Sequence, residues 1–356
     1  MSRTTVLRLL PGPVAVVALV VGVWMGLARL GIPLGAPPTP EVHGALLVLG
    51  FLGTLIGLER AAAAGRAWTF GVPFLGACSV VAMILGSPRL AAACSLGAGG
   101  LLVAVYGAAL RTRPADHLVV MTAGAVGWLL AAATWIRAGA VPAIVPWAAT
   151  FLVATIAGER LELAGLTAID PAARRLLLGA IGLLFLGATV AWAYPRPGAQ
   201  LAGIGHLLVA ASLLTWDVAR RTIRTAGLPR YVAGGLLAGY VWLAVAGLLW
   251  LTSGLDPAGR TYDAALHSLF LGFVMSMILA HGPIVLPALT GATVPWHAAL
   301  WGPLGLLHVS VLLRVAGGLG AAPTFLRVGA LGNAAALALF VVVVAVALRR
   351  GRRGGR

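Results

Sequence analysis

The chain has 356 residues, 60% of them hydrophobic and only 10% charged, with a mean hydropathy of +1.00. Soluble domains carry about 25% charged residues, so a soluble fold is excluded. The net charge of +16 comes from arginines scattered singly between apolar runs, with no basic groove or recognition motif, which excludes nucleic acid as a partner. The lipid bilayer is the expected partner instead.

A hydrocarbon core about 30 Å thick takes roughly 20 apolar residues per helix. In chain order that ruler predicts twelve spans, near 12–31, 42–60, 67–86, 89–110, 117–137, 142–162, 175–194, 199–217, 231–252, 262–286, 295–316 and 325–348. Breaker residues separate them, as in Pro37-Pro38, Gly86-Ser87-Pro88, Pro195-Arg196-Pro197 and Asp256-Pro257. The apolar runs are continuous and do not alternate, which excludes a β-barrel. The 48 glycines suit helices that approach one another closely. The expected fold is an all-α polytopic transmembrane bundle, one integral membrane domain over residues 1–356. The first run, from about Pro11, reads as a retained helix and not as a cleaved signal peptide.

Arginine counts set the expected orientation. With the N-terminus inside, 18 arginines lie on inner segments and seven outside: Arg29, Arg89, Arg137, Arg196, Arg260, Arg314 and Arg327. Both termini are then cytoplasmic in a bacterial inner membrane, and the tail from Arg349 to Arg356 is an anchor at an anionic leaflet. Cys78 and Cys94 sit in neighbouring spans at different depths, which argues against a disulfide.

An internal repeat is faintly visible. The second span ends Gly57-Leu58-Glu59-Arg60, and the sixth ends Gly158-Glu159-Arg160; four spans later the tenth ends near His281-Gly282-Pro283. The spacing fits a pseudo-repeat of three blocks of four helices.

Ionisable residues inside a bilayer are costly, so each is a functional candidate. His43 and His267 lie near the outer ends of the second and tenth spans, which run in the same direction, at comparable depth. Two such imidazoles can supply the axial ligands of a haem, with Gly44 and Gly272 leaving room for the macrocycle. The alternative is a pair of rim histidines bonded to backbone or water. His206 and His308 reach the outer halves of the eighth and eleventh spans, as ligands of a second haem or metal or as structural residues. Arg314 suits a haem propionate, or snorkels to the interface. Met275, Met277 and His281 form a soft donor set compatible with Cu(I), unless the methionines only fill gaps. His117 and His297 read as boundary residues, and Glu59, Glu159, Glu162 and Asp217 as members of inner-face ion pairs.

The arrangement resembles the catalytic subunit of haem–copper oxidases and, in size and span count, the NnrS family. His43 and His267 match the helix 2 and helix 10 positions that hold low-spin haem in the oxidases. The segment His267-Ser268-Leu269-Phe270-Leu271-Gly272-Phe273-Val274-Met275-Ser276-Met277-Ile278, closing with Leu286-Pro287, is similar to helix 10 of cbb3-type oxidases. Arg314 resembles that superfamily's propionate-binding arginines. The departures are clear: the sixth and seventh spans hold no histidine, and the oxidases' His-x-His is interrupted by Ala265. No binuclear oxidase site is recognisable, so no catalytic residue is assigned.

What the resemblance implies is a b-type haem protein of electron transfer or of the nitric oxide or oxygen stress response, with redox proteins as partners. A cofactor-free secondary transporter and a copper-handling membrane protein are the alternatives.

Overall fold

A computed structural model describes residues 11–35, 37, 39–164, 170–290 and 295–354; Arg3, Arg8, Pro38 and Arg356 lie outside the described residues. Twelve helices are long and apolar enough to cross a membrane: α1 (Pro11–Arg29), α2 (Pro40–Ala64), α3 (Ala67–Ile84), α4 (Pro88–Thr112), α5 (Asp116–Ala138), α6 (Val141–Leu163), α7 (Pro171–Val190), α8 (Pro195–Trp216), α9 (Gly227–Ser253), α10 (Tyr262–Leu286), α11 (Ala298–Leu319) and α12 (Pro323–Arg349). No strand occurs among the described residues. The chain is a multi-pass, all-α membrane protein.

Local chemistry sets the helix ends. Pro88, Pro171, Pro195 and Pro323 each open a helix, where a missing N–H costs nothing and φ is already helical. Gly65 and Gly139 close α2 and α5 with φ of +66°, a left-handed cap that favours glycine. The hydropathy ruler stops short where polar residues ride on a continuing helix. Thus α2 runs on through Ala61–Ala64, α7 starts before Arg174 and Arg175, and α9 starts at Gly227 before Arg230.

Two helices depart from α geometry. Residues Leu46–Leu52 of α2 and Ser268–Met275 of α10 are π-helical. Such wider turns are rare and recur at functional sites.

The chain divides into two compact units, Met1–Glu162 and Leu163–Arg356, each with six spans. The boundary follows the sixth span, whereas four-helix blocks would divide the chain after the fourth and eighth.

The first unit is organised around Trp128 of α5. Its indole is fully buried, stacks on Phe151 of α6 with centroids 5.1 Å apart, and donates to Ser95 Oγ of α4 at 2.8 Å. Gly53 of α2 leaves the space for it, since a Cβ there would lie 2.8 Å from the ring. One tryptophan therefore joins four helices. Glycines on α5 and α6 set their close approach: a Cβ at Gly127 would lie 2.9 Å from Phe151 N. Cys78 and Cys94 are free, half-buried thiols.

In the second unit the same device recurs. A Cβ at Gly187 would meet Ala202 N on α8 at 2.5 Å, and one at Gly203 would meet Leu251 N on α9 at 2.6 Å. Gly329 of α12 lets its helix press on the Arg314 backbone of α11, where a Cβ would come within 2.5 Å of the amide nitrogen. The outward faces of α1, α7 and α12 carry exposed Val16, Val20, Leu186, Val341 and Val342, as lipid-facing surfaces do.

Candidate functional site

The second unit gathers most of the polar candidates, beginning at the Tyr262 end of α10. Asp263 and His267 are four residues apart and share one helix face. His267 Nδ1 donates to the Asp263 backbone carbonyl at 2.8 Å and lies 3.2 Å from its carboxylate Oδ1. That carboxylate is gripped from α11, where Arg314 donates through Nε to Oδ2 at 2.9 Å and through Nη2 to Oδ1 at 2.8 Å. The fork matches the carboxylate plane, the strongest geometry such a pair adopts. The Arg314 side chain is only 10% exposed.

This arrangement changes the role of Arg314. Two of its nitrogens serve Asp263, so it positions the carboxylate that orients His267. With Nδ1 as the donor, the neutral imidazole carries its lone pair on Nε2. A carboxylate behind Nδ1 is the usual support of a metal-ligating histidine, fixing the tautomer and raising basicity.

His43, in the first unit, is held similarly. Its Nδ1 donates to the Pro40 carbonyl at 3.2 Å, and its ring packs on Gly26 of α1, where a Cβ would lie 3.5 Å from Cδ2. Each of these histidines stands just ahead of a π-helical segment.

Gly272 does not leave room for a macrocycle. Trp242 of α9 fills the space, and a Cβ on Gly272 would lie 2.5 Å from the indole Cγ. Gly44 sits in looser surroundings, where a Cβ would meet only Val141 Cγ1 at 3.6 Å.

His308 has both ring nitrogens occupied. Trp242 Nε1 donates to Nδ1 at 3.1 Å, and an indole N–H only donates, so Nδ1 must be the bare nitrogen. Nε2 then carries the proton and faces Ser276 Oγ at 3.3 Å, while Ser276 donates onward to the Gly235 carbonyl at 2.7 Å. Every donor in this chain across α9, α10 and α11 has an acceptor. His308 is thus a structural link and not a spare ligand.

His206 is the opposite case. It is fully buried on α8, edge-on to Trp250 of α9 with centroids 4.7 Å apart, and neither of its nitrogens has a hydrogen-bond partner. Met275 and Met277 are buried, and Met277 packs into the hollow at Gly239. His281 Nδ1 donates to the Met277 carbonyl at 2.9 Å, four residues earlier on the same helix. Among the described residues no group of three or more His, Cys, Asp or Glu is placed to hold a metal ion.

The remaining acids singled out in the sequence divide between the units. In the first, Arg60 Nη2 donates to Glu59 at 2.7 Å and to Glu159 at 3.2 Å, with Glu162 at 3.6 Å from Nη1. The two repeated Glu-Arg sequences therefore meet in one cluster. In the second, Asp217 accepts from Tyr240 Oη at 2.8 Å and from the Ala219 amide at 2.7 Å. None of Asp263, Trp242, Ser276 and Tyr240 was named as a partner from the sequence; of these, only Asp263 carries a local signal, its i, i+4 spacing from His267.

A family model described as "Domain of unknown function (DUF8744)" matches residues 8–349. The chain belongs to the DUF8744 family. Among curated proteins and solved structures nothing matches it. All twelve spans and every candidate site residue fall inside the DUF8744 match, so the clamp on α10 and the Arg60 cluster both belong to the family's region.

Proposed function

We propose that the protein is a b-type haem-binding protein of a bacterial inner membrane, in which His43 and His267 are the residues that would hold haem iron. The reading extends the resemblance to NnrS and oxidase subunits. The observation that carries it is how the two imidazoles are held: each donates Nδ1–H to a backbone carbonyl three or four residues earlier on its own helix, which leaves the lone pair on Nε2. His281 shares that bond, but only His43 and His267 also introduce π-helical segments.

Bound haem would supply one-electron chemistry or gas binding, as a response to nitric oxide or oxygen stress requires. The chain's own contribution is orientation. Asp263 fixes the His267 tautomer, and Arg314 fixes Asp263. Purification after expression with ample haem, followed by a pyridine haemochrome assay, tests the proposal. Haem in stoichiometric amount supports it, and a colourless, monodisperse protein overturns it.

A cofactor-free secondary transporter is the second reading, favoured by the division into two six-span units. The same assay separates the two.

A further inference from the structure

The first unit contains a charged cluster that the haem proposal does not use. It sits where the Ala64 end of α2 meets the Leu163 end of α6, in the half of the molecule whose arginines assign it to the cytoplasmic side. Glu59 and Glu159 both bond the same nitrogen of Arg60, and Glu162 approaches its other terminal nitrogen. A single guanidinium compensates one carboxylate. The buried Arg160 adds a second positive charge acting on Glu159. Three carboxylates against two arginines leave one negative charge in excess.

Two further groups point to something missing from this count. The Tyr106 hydroxyl of α4 is buried, with the residue 3% exposed, and has no hydrogen-bond partner. The charged groups acting on it are Arg60, Glu159, Glu59 and Glu162. Arg60 Nε is likewise buried without an acceptor. Two unsatisfied donors beside surplus carboxylate are costly unless water or a rotated carboxyl meets them. The remaining wall is α5, which contributes the Met121 sulfur, 4.0 Å from Arg60 Nη1, and, against Gly158, the backbone of His117. The titratable residues at that end of α5 are Asp116 and His117. The residues of α3 that meet this end of α2 at Gly57, Val72 and Pro73, carry no charge.

A metal ion does not fit, because the carboxylates radiate from Arg60 and no group able to hold one occurs among the described residues. A proton does fit. We propose that Glu59, Glu159 and Glu162, gathered on Arg60, form a hydrated proton-exchange site that takes one proton from water and returns it. Binding forms one carboxyl O–H bond and cancels the excess charge; release restores the carboxylate, with water as donor and acceptor both ways. Water at this place also accepts from Tyr106 Oη and Arg60 Nε. The site contains no haem ligand, so a colourless protein leaves the proposal standing.

Infrared difference spectroscopy of the detergent-purified full chain, taken across a pH titration in H2O and D2O, tests the site. Expected is a protonated-carboxyl C=O band that shifts on deuteration and vanishes at high pH. Glu159→Gln and Glu59→Gln should each abolish most of its intensity, because removing one carboxylate removes the excess charge. Tyr106→Phe should shift the band, and Glu41→Gln, at the other end of α2, should leave it unchanged. A band that survives undiminished in both cluster variants overturns the proposal, as does its absence at every pH where the protein stays monodisperse. Glutamine keeps the shape and an acceptor for Arg60, and Tyr106→Phe gives a reading that leaves all the charges in place.

Discussion

Arg314 holds Asp263 through two parallel hydrogen bonds of 2.8 and 2.9 Å, and the same carboxylate lies 3.2 Å from His267 Nδ1. The arginine thus acts on the histidine through an intermediary, and α11 sets the orientation of a side chain on α10. Removing Asp263 strands a nearly buried guanidinium. Asp263→Ala should cost about 3 kcal/mol, the low end for breaking a buried pair because Asp263 is 27% exposed. Arg314→Lys keeps the charge but loses the fork, and should cost less. Thermal unfolding of the detergent-purified variants measures both, and equal losses would contradict the shared clamp.

The chain from Trp242 to His308 to Ser276 behaves as one unit. Trp242→Phe leaves His308 Nδ1 without its donor, and Ser276→Ala leaves Nε2 without its acceptor; each should cost about 1–3 kcal/mol. The double variant should cost less than the two together, because both act through one imidazole. His308→Gln should lower stability while leaving haem content unchanged. Haem loss in that variant would restore His308 as a ligand.

Gly272 and Gly44 make a matched pair. Gly272→Ala drives a methyl group into Trp242 and should destabilise by about 1–3 kcal/mol. Gly44→Ala enters ordinary contact with Val141 and should change stability by under about 0.5 kcal/mol. Unfolding midpoints of the two variants check the contrast, and a tolerated Gly272→Ala would show that the indole moves aside.

How much of this was legible in the sequence depends on the range of each signal. Twelve spans follow from apolar length, a local signal, but four of the helices open earlier than that length indicates, at Pro88, Pro171, Pro195 and Pro323, because a proline fits the first turn of a helix as well as it breaks one. The pairing of Asp263 with His267 is also local, four residues on one helix. The partnership of Trp242 with His308 spans 66 residues and depends on how glycines seat α9 against α10, which no local pattern encodes. Gly272 shows the same ambiguity: a bare backbone serves a cofactor or a neighbour's indole equally well. The Arg60 cluster was half visible, since the repeated Glu-Arg signalled kinship between α2 and α6 but not that both carboxylates meet one nitrogen. The unpartnered Tyr106 hydroxyl had no signal at all.

The arginine bias predicts a cytoplasmic C-terminus. A C-terminal fusion to a reporter that fluoresces only in the cytoplasm should be bright, and a periplasm-dependent phosphatase fused there should be inactive. The reverse pattern would invert the assigned orientation and move the Arg60 cluster to the opposite face.

The central claim is that His43 and His267 ligate haem, and the reduced-minus-oxidised absorption spectrum of the purified protein tests it most directly. The account predicts the sharp α-band of a six-coordinate b-type haem in the wild type, lost or converted to a five-coordinate spectrum in His43→Ala and in His267→Ala. It also predicts that Asp263→Asn keeps the haem but shifts its midpoint potential, since the carboxylate charge behind the ligand is removed. A wild-type protein without haem, or an unaltered spectrum in both histidine variants, would contradict it.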